Sequence, residues 1–263
     1  MAAILVPVKG HPYDRNAFSE MLDSLPGGHE FTLVEHPAVE AALAPNFVTR
    51  FDAVLFYDMP GIGFHIPEPP VFQPPSTTYQ AHIEALLDAG KPLFFLHHAI
   101  AGWPAWPRYG EIIGGRFLYQ PGQVRGRPRP DSGYRHEVTH HVRPLTSHPV
   151  LEGLEQGFEI TDELYLFEAF DDSIVPLLAS NHVFAQENFW SAAAAMRGEF
   201  HSREGWTHPP GTNLIGWTRQ EKNSPIIYLQ CGDSAEAYAN AGLRRLLGNG
   251  LAWLLAEARG RKT

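Results

Sequence analysis

Cysteine is nearly absent: Cys231 is the only one among 263 residues. No internal disulfide framework can exist, and a reducing compartment is expected. Positive charge is scarce as well, since 20 Lys and Arg against 29 Asp and Glu leave a formal charge of −9. Nucleic acid and anionic membranes both reward a basic surface, so neither is an expected partner. No apolar run approaches the roughly 20 residues that span a bilayer. The first ten residues carry an apolar stretch without the basic start of a signal peptide, so they read as a first strand of a cytoplasmic protein. Gly10, Gly61-Ile62-Gly63 and Gly114-Gly115 lack the spacing of a dinucleotide fingerprint or a P-loop, so no nucleotide cofactor is expected. Repeats, low-complexity tracts and linkers are missing too, which points to one domain over residues 1–263.

What the chain does have is a 44% hydrophobic content, 14 histidines and 23 prolines: a sizeable core, many potential ligands, and stiff loops to hold them. Ala3–Val8 reads as a buried strand, and Asp14 as the cap of a helix carrying Phe18, Met21, Leu22 and Leu25. Glu30–Glu35 and Phe51–Tyr57 are the next strands. The segment 64–75 is too proline-rich for regular structure. Ser76 or Thr77 caps a helix with Ile83, Leu86 and Leu87 on one face, closed by Gly90. Lys91–Leu96 is then a central strand. This alternation predicts an α/β fold with a doubly wound, mostly parallel sheet of the flavodoxin type.

The second half predicts additional strands and long loops. Strands are expected at 116–119, 134–142, 174–178, 213–217 and 225–230. In the second of these, Tyr134, His136, Val138, His140 and Val142 would share one face by the two-residue period. Residues 235–258 read as mostly helical, with a leucine stripe from Leu243 to Leu255.

His97-His98 stands where the central strand ends, which is where open α/β sheets bind ligands. Neutral imidazole serves there as a metal ligand or general base; the alternative is a packed, hydrogen-bonded histidine. Adjacent side chains on such a turn diverge, so one of the two should point into the cleft. Asp162-Glu163 lies in an otherwise apolar segment, where desolvation would suit Glu163 to acid–base work; the alternative is a turn capped by Asp162. His136 and His140 would lie roughly 13 Å apart along a strand, too far to share a metal. His140 and His141 read as exposed strand residues. His148 is the better ligand candidate, because Pro149 fixes its loop. Trp103, Trp106, Tyr109, Trp190, Trp206 and Trp217 could offer faces for sugar stacking, although most tryptophans are core; Trp103, close to the histidine pair, is the strongest. Cys231 ends a late strand and reads as a small buried residue. A Cys-His-Glu glutaminase needs its Cys where His97 sits.

Several segments carry a family resemblance, in this order. They are Phe94-Phe95-Leu96-His97 followed by Trp106 and Tyr109; Gly114-Gly115-Arg116-Phe117; His148-Pro149-Val150-Leu151-Glu152-Gly153-Leu154; Asp162-Glu163-Leu164-Tyr165; and Ile226-Ile227-Tyr228 with Gly232. Together they resemble the trehalose-utilisation (ThuA-like) family, which implies a class I glutamine-amidotransferase-like fold lacking the nucleophilic Cys. The resemblance implies carbohydrate catabolism, including steps on 3-keto sugars made by a partner sugar oxidoreductase. It brings Tyr165 and Asp233 in as substrate-binding candidates beside Trp103 and Tyr109. Two positions depart from the family pattern: Asp233 stands where a His tends to follow the last strand's Gly, and Tyr119-Gln120 where a His often follows Gly-Gly-x-Phe.

The resulting expectation is a hydrolase or lyase acting on a disaccharide or 3-keto-glycoside, with His97 and Glu163 catalytic. A divalent metal, zinc by preference, would be held by His97, His98 and His148. The alternative is a non-catalytic sugar-binding or regulatory protein on a degenerate amidotransferase scaffold. A homodimer is the default assembly.

Overall fold

A computed structural model describes residues 1–63 and 70–260. Strand β1 (Ala3–Lys9) leads into helix α1 (Arg15–Asp23), whose cap Asp14 accepts from the amides of Asn16 and Ala17. Then come β2 (Glu30–Glu35), β3 (Ala53–Asp58), α2 (Thr77–Asp88, capped by the Ser76 hydroxyl) and β4 (Leu93–Leu96). β3 and β4 are buried along their whole length, as strands covered on both faces must be. Helix α3 (Pro107–Ile113) follows, and then the long strands of the second half. These are β5 (Gly133–Pro144), β6 (Phe158–Leu166), β7 (Val175–Ser180), β8 (Leu214–Glu221) and β9 (Ser224–Leu229). Helices α4 (Ala235–Ala239) and α5 (Ala241–Gly260) end the described chain. The expected single helix is therefore two, interrupted at Asn240, whose side chain accepts from the amides of Gly242 and Leu243.

The main sheet runs β6-β5-β7-β8-β9-β4-β3-β1-β2, with a two-residue strand, Trp190–Ser191, on β5. From β9 to β2 all pairings are parallel, and β9 itself brings the C-terminal half back beside β4. From β9 outward to β6 all pairings are antiparallel. The α/β, doubly wound architecture is thus present, with the extra strands of the second half added at one flank. One face packs against α1, α4 and α5 through residues such as Phe18, Tyr238, Leu243, Leu247, Leu251 and Leu254. The other packs against α2 and α3 through Tyr79, Ile83, Leu87, Ile112 and Ile113. Among the described residues, no helix is long and apolar enough to cross a membrane.

Three expectations need correction. The strand expected at 116–119 is only Gly115–Arg116, and the loop after it contains a hairpin, Gly122–Val124 with Arg127–Arg129. Of the segment 64–75, residues 64–69 lie outside the described residues, while Val71–Phe72 pairs with Ile62–Gly63. The alternation along β5 is also broken. Arg135 pairs with Leu164 but Val138 with Asp162, a bulge of one extra residue, and Glu137 takes φ +55° within it. A bulge reverses which face each later side chain occupies. Tyr134 accordingly packs on the α2/α3 side, whereas Val138 and Val142 pack on the α1/α5 side.

Candidate active site

The carboxyl ends of β1, β3, β4 and β9 converge, and β6 closes over them. His97, at the turn after β4, has φ +48°, a left-handed conformation that costs an L-residue roughly 1–2 kcal/mol. Such strain is retained where the surroundings dictate it, most often at functional sites. The His97 ring is fully buried. Its Nδ1 lies 2.5 Å from the Gln230 carbonyl, which makes Nδ1 the protonated nitrogen and aims Nε2 at the site. Around Nε2 stand Glu163 Oε2 at 3.2 Å, the Tyr165 hydroxyl at 3.1 Å and Asp233 Oδ1 at 3.2 Å. Tyr165 also stacks on the imidazole, with ring centres 4.9 Å apart.

Glu163 is held from both sides, since its other oxygen, Oε1, lies 3.2 Å from His136 Nδ1. The strand period explains this: Glu163 and Tyr165 face the site from β6, while Asp162 and Leu164, on either side of Glu163, face the other way. Asp162 is not idle. Its carboxylate accepts from the amides of Gly232 and Asp233, and so fixes the turn that presents Asp233. Gly232, at φ +124°, is what lets the chain turn there. The hydroxyls of Tyr57 and Tyr238 donate to the carbonyls of Gly232 and Asp233, pinning the same turn from below.

A second group adjoins the first. His98 and His11 stack with centroids 4.6 Å apart, and His11 Nδ1 is 3.8 Å from Asp233 Oδ1. His11 is brought in by a close crossing: a Cβ on Gly10 would lie 2.2 Å from the Met59 carbonyl oxygen, so only glycine fits before it. Asp233 Oδ1 therefore borders both groups. The rings of His97 and His98 are nearly perpendicular, at 85°, so the pair diverges as expected, yet each ring has its own polar neighbours.

Charge separates the two histidines. Burial alone would lower His97, but Asp233 and Glu163 overcome it and hold His97 well above the ordinary histidine value. Burial, with His11 and His97 adding to it, pushes His98 far down. Asp233 runs the other way: burial would raise it, and His97 beside it holds it below the usual carboxylate range. Asp162, fully enclosed, is raised by burial to about 6. Tyr165 is pushed up by burial and by Glu163, so its hydroxyl keeps its proton.

The sequence candidates fall as follows. His97, Glu163, Tyr165 and Asp233 come together. His98 joins His11 and Asp233 instead of His97 and His148. His148 lies in neither group: its Nδ1 accepts from the Val150 amide, and its ring meets Trp253 of α5 edge-on. Tyr109 is buried against Phe95 and Trp106, leaving no ring face for a ligand. His140, expected exposed, is buried and bonded to the Ser180 hydroxyl. Cys231 is a buried core residue whose thiol burial pushes up. His136, set aside by spacing as a metal ligand shared with His140, meets Glu163, and His11 and Gln230 join the site without a local sequence signal other than position, each following a strand. His136 reaches Glu163 through the cross-strand register that pairs Tyr134 with Tyr165 and Arg135 with Leu164.

Trp103 lies apart, on a cleft of about 360 Å³ between the ends of β1 and β3. Lys9, His36, Glu40 and Tyr79 line it with Trp103. Trp103 Nε1 and the Tyr79 hydroxyl make no aligned hydrogen bond there, although their rings are 5.0 Å apart. His36 is anchored at 2.6 Å by the fully buried Asp58.

Comparison with known proteins agrees with this picture. The profile of the ThuA family, described as trehalose utilisation, matches residues 9–254. A ThuA-like protein from Parabacteroides merdae superposes with a TM-score of 0.64 at 14% identity, covering 97% of this chain and 90% of that one. One from Bacteroides uniformis gives 0.62 at 15% identity, covering 96% and 90%. PurLQS from Thermotoga maritima gives 0.53 at 12% identity, covering 97% and 100%, in keeping with an amidotransferase-like fold. No curated protein matches the sequence.

Proposed function

This chain belongs to the trehalose-utilisation family, and from that premise we propose that it is a hydrolase or lyase acting on a disaccharide or a 3-keto-glycoside. The observation that carries the reading is Glu163, a buried carboxylate held at 3.2 Å by an imidazole on each side, His97 and His136. A carboxylate so placed removes a proton, and His97, held protonated by Glu163 and Asp233, returns one. In a 3-keto-glycoside the ketone acidifies the C2–H. Glu163 takes that proton, the C–H electrons form the C1–C2 double bond, and the C1–O bond breaks. The departing oxygen takes a proton from His97. Water then adds to the double bond if the outcome is hydrolysis. The route needs no oxocarbenium ion and no paired glycosidase carboxylates. Substrate reaches the centre from the side of His136 and Asp233, whose side chains are 41% and 18% exposed.

Purified protein is assayed against disaccharides and their 3-keto forms, together with Glu163→Gln. Turnover of a keto-glycoside that falls at least about 100-fold in the variant, with binding retained, is the expected result. A Glu163→Gln protein as fast as the wild type would overturn the acid–base reading. The second reading is a sugar-binding or regulatory protein, which the nearly complete burial of His97 and Glu163 favours. It gives saturable sugar binding with no turnover in either protein.

A further inference from the structure

We propose that His11, His98 and Asp233 form a binding site for one divalent transition-metal ion of the zinc class. The three side chains each offer one ligand atom, and these atoms lie within 4.8 Å of one another. Two ligands 2.1 Å from a tetrahedral ion are about 3.4 Å apart, so small side-chain shifts complete the set.

The hydrogen bonding of these atoms within the protein points the same way. His98 Nδ1 and His11 Nδ1 are both buried without a hydrogen-bond partner, and they face Asp233 Oδ1, whose close polar neighbour is His97 Nε2 at 3.2 Å. A single orphaned polar atom in a core is uncommon, and each costs roughly 1–3 kcal/mol. Two imidazole nitrogens converging beside one carboxylate oxygen require something to satisfy them. His98 is also oriented as a ligand would be: its Nε2 donates to the Tyr57 carbonyl at 3.2 Å, which leaves Nδ1 with its lone pair free. Backbone support of the far nitrogen is the usual way a metal-bound imidazole is fixed. Asp233 is fixed too, by the amide bonds from its own turn to Asp162. Two imidazoles and one carboxylate select zinc-class ions over magnesium or calcium, which prefer oxygen ligands throughout. Three protein ligands leave a position open for a substrate oxygen, beside the His97–Glu163 pair.

The competing arrangement is an ion on His97, Glu163 and Asp233, which also lie within 4.8 Å of one another. There, however, His97 Nε2 is already engaged by Glu163 and Tyr165. Cobalt(II) and zinc binding to the whole protein separate the two, and because no sugar is present the outcome is independent of the carbohydrate reading. Expected are about one ion per chain, a visible cobalt band, and an affinity lowered at least about 100-fold in His11→Ala. Glu163→Gln should bind as the wild type does. His98→Asn should lose the ion; since His98 is fully enclosed, circular dichroism checks its folding, and His11→Ala decides if it fails. Loss of the ion in Glu163→Gln with retention in His11→Ala would overturn the assignment. So would weak binding indifferent to every variant, the mark of surface histidines.

Discussion

His140 illustrates what enclosure does to an imidazole with no carboxylate beside it. It is 3% exposed, Nδ1 is bonded to the Ser180 hydroxyl, and Nε2 has no partner. Burial, aided by His182 and His141, lowers it from 6.5 to about 4. In the unfolded chain it regains the ordinary value. Between these two values the unfolded chain takes up a proton that the folded one refuses, so stability is full above pH 6.5 and is lost as pH falls towards 4. At roughly 1.4 kcal/mol per pH unit, the loss from this residue amounts to about 3 kcal/mol. His140→Asn keeps a polar group for Ser180 but cannot take up the proton. Urea unfolding of both proteins at pH 7 and pH 4 should show the stability gap between them closing on acidification by that order. Parallel curves would mean that His140 titrates normally in the fold. The same scale shows how much of the site the sequence discloses. His97 and Glu163 are legible because a polar residue inside an apolar segment is a local signal. His11 and His136 are not, since they gain meaning only from strands far away in sequence.

At the scale of elements, the caps and the parallel strands are legible. Asp14 and Ser76 each stand before a helical apolar pattern, and both cap it. The bulge in β5 is not legible, because the pattern Tyr134-x-His136-x-Val138-x-His140 alternates without a break. Only the pairing with β6 shows the extra residue, which sends Val138 and Val142 to the α1/α5 face while His136, before it, stays on the face of Tyr134 opposite Glu163. Glu137 itself is exposed and sits at φ +55°. Glycine tolerates that conformation, and a β-branched residue tolerates it least. Glu137→Gly should therefore be neutral or stabilising by up to about 1 kcal/mol, while Glu137→Val should cost more than about 1 kcal/mol. Denaturation midpoints measure both. A neutral valine would argue that β5 runs without the bulge, in which case Val138 and Val142 would turn to the α2/α3 face.

At the scale of the whole molecule, the order β2-β1-β3-β4 places a crevice between β1 and β3, where the winding of the sheet reverses. The Trp103 cleft occupies that crevice, whereas the His97–Glu163 centre lies at the ends of β4 and β9. Gly10 lines the cleft, and the next residue, His11, belongs to the group around Asp233, so the two regions are joined by the loop after β1. The sequence discloses the parallel half that builds the crevice, through buried strands alternating with capped helices. It discloses less of the antiparallel flank, since which strand β6 covers is a matter of long-range pairing. On the proposed disaccharide reading, this division would give the two ends of the substrate separate tasks. In the proposed reaction one sugar ring would stack on Trp103, whose partly exposed face is amphipathic enough for a pyranose, with the bond to be broken at Glu163. Trp103→Ala removes a stacking contact worth roughly 1 kcal/mol or more. It should raise KM for a disaccharide by about tenfold while leaving kcat near the wild-type value, because interactions equal in ground and transition states change binding alone. Glu163→Gln should do the reverse. If Trp103→Ala instead lowers kcat and leaves KM alone, the cleft is not where the second ring sits, and substrate enters wholly from the His136 side.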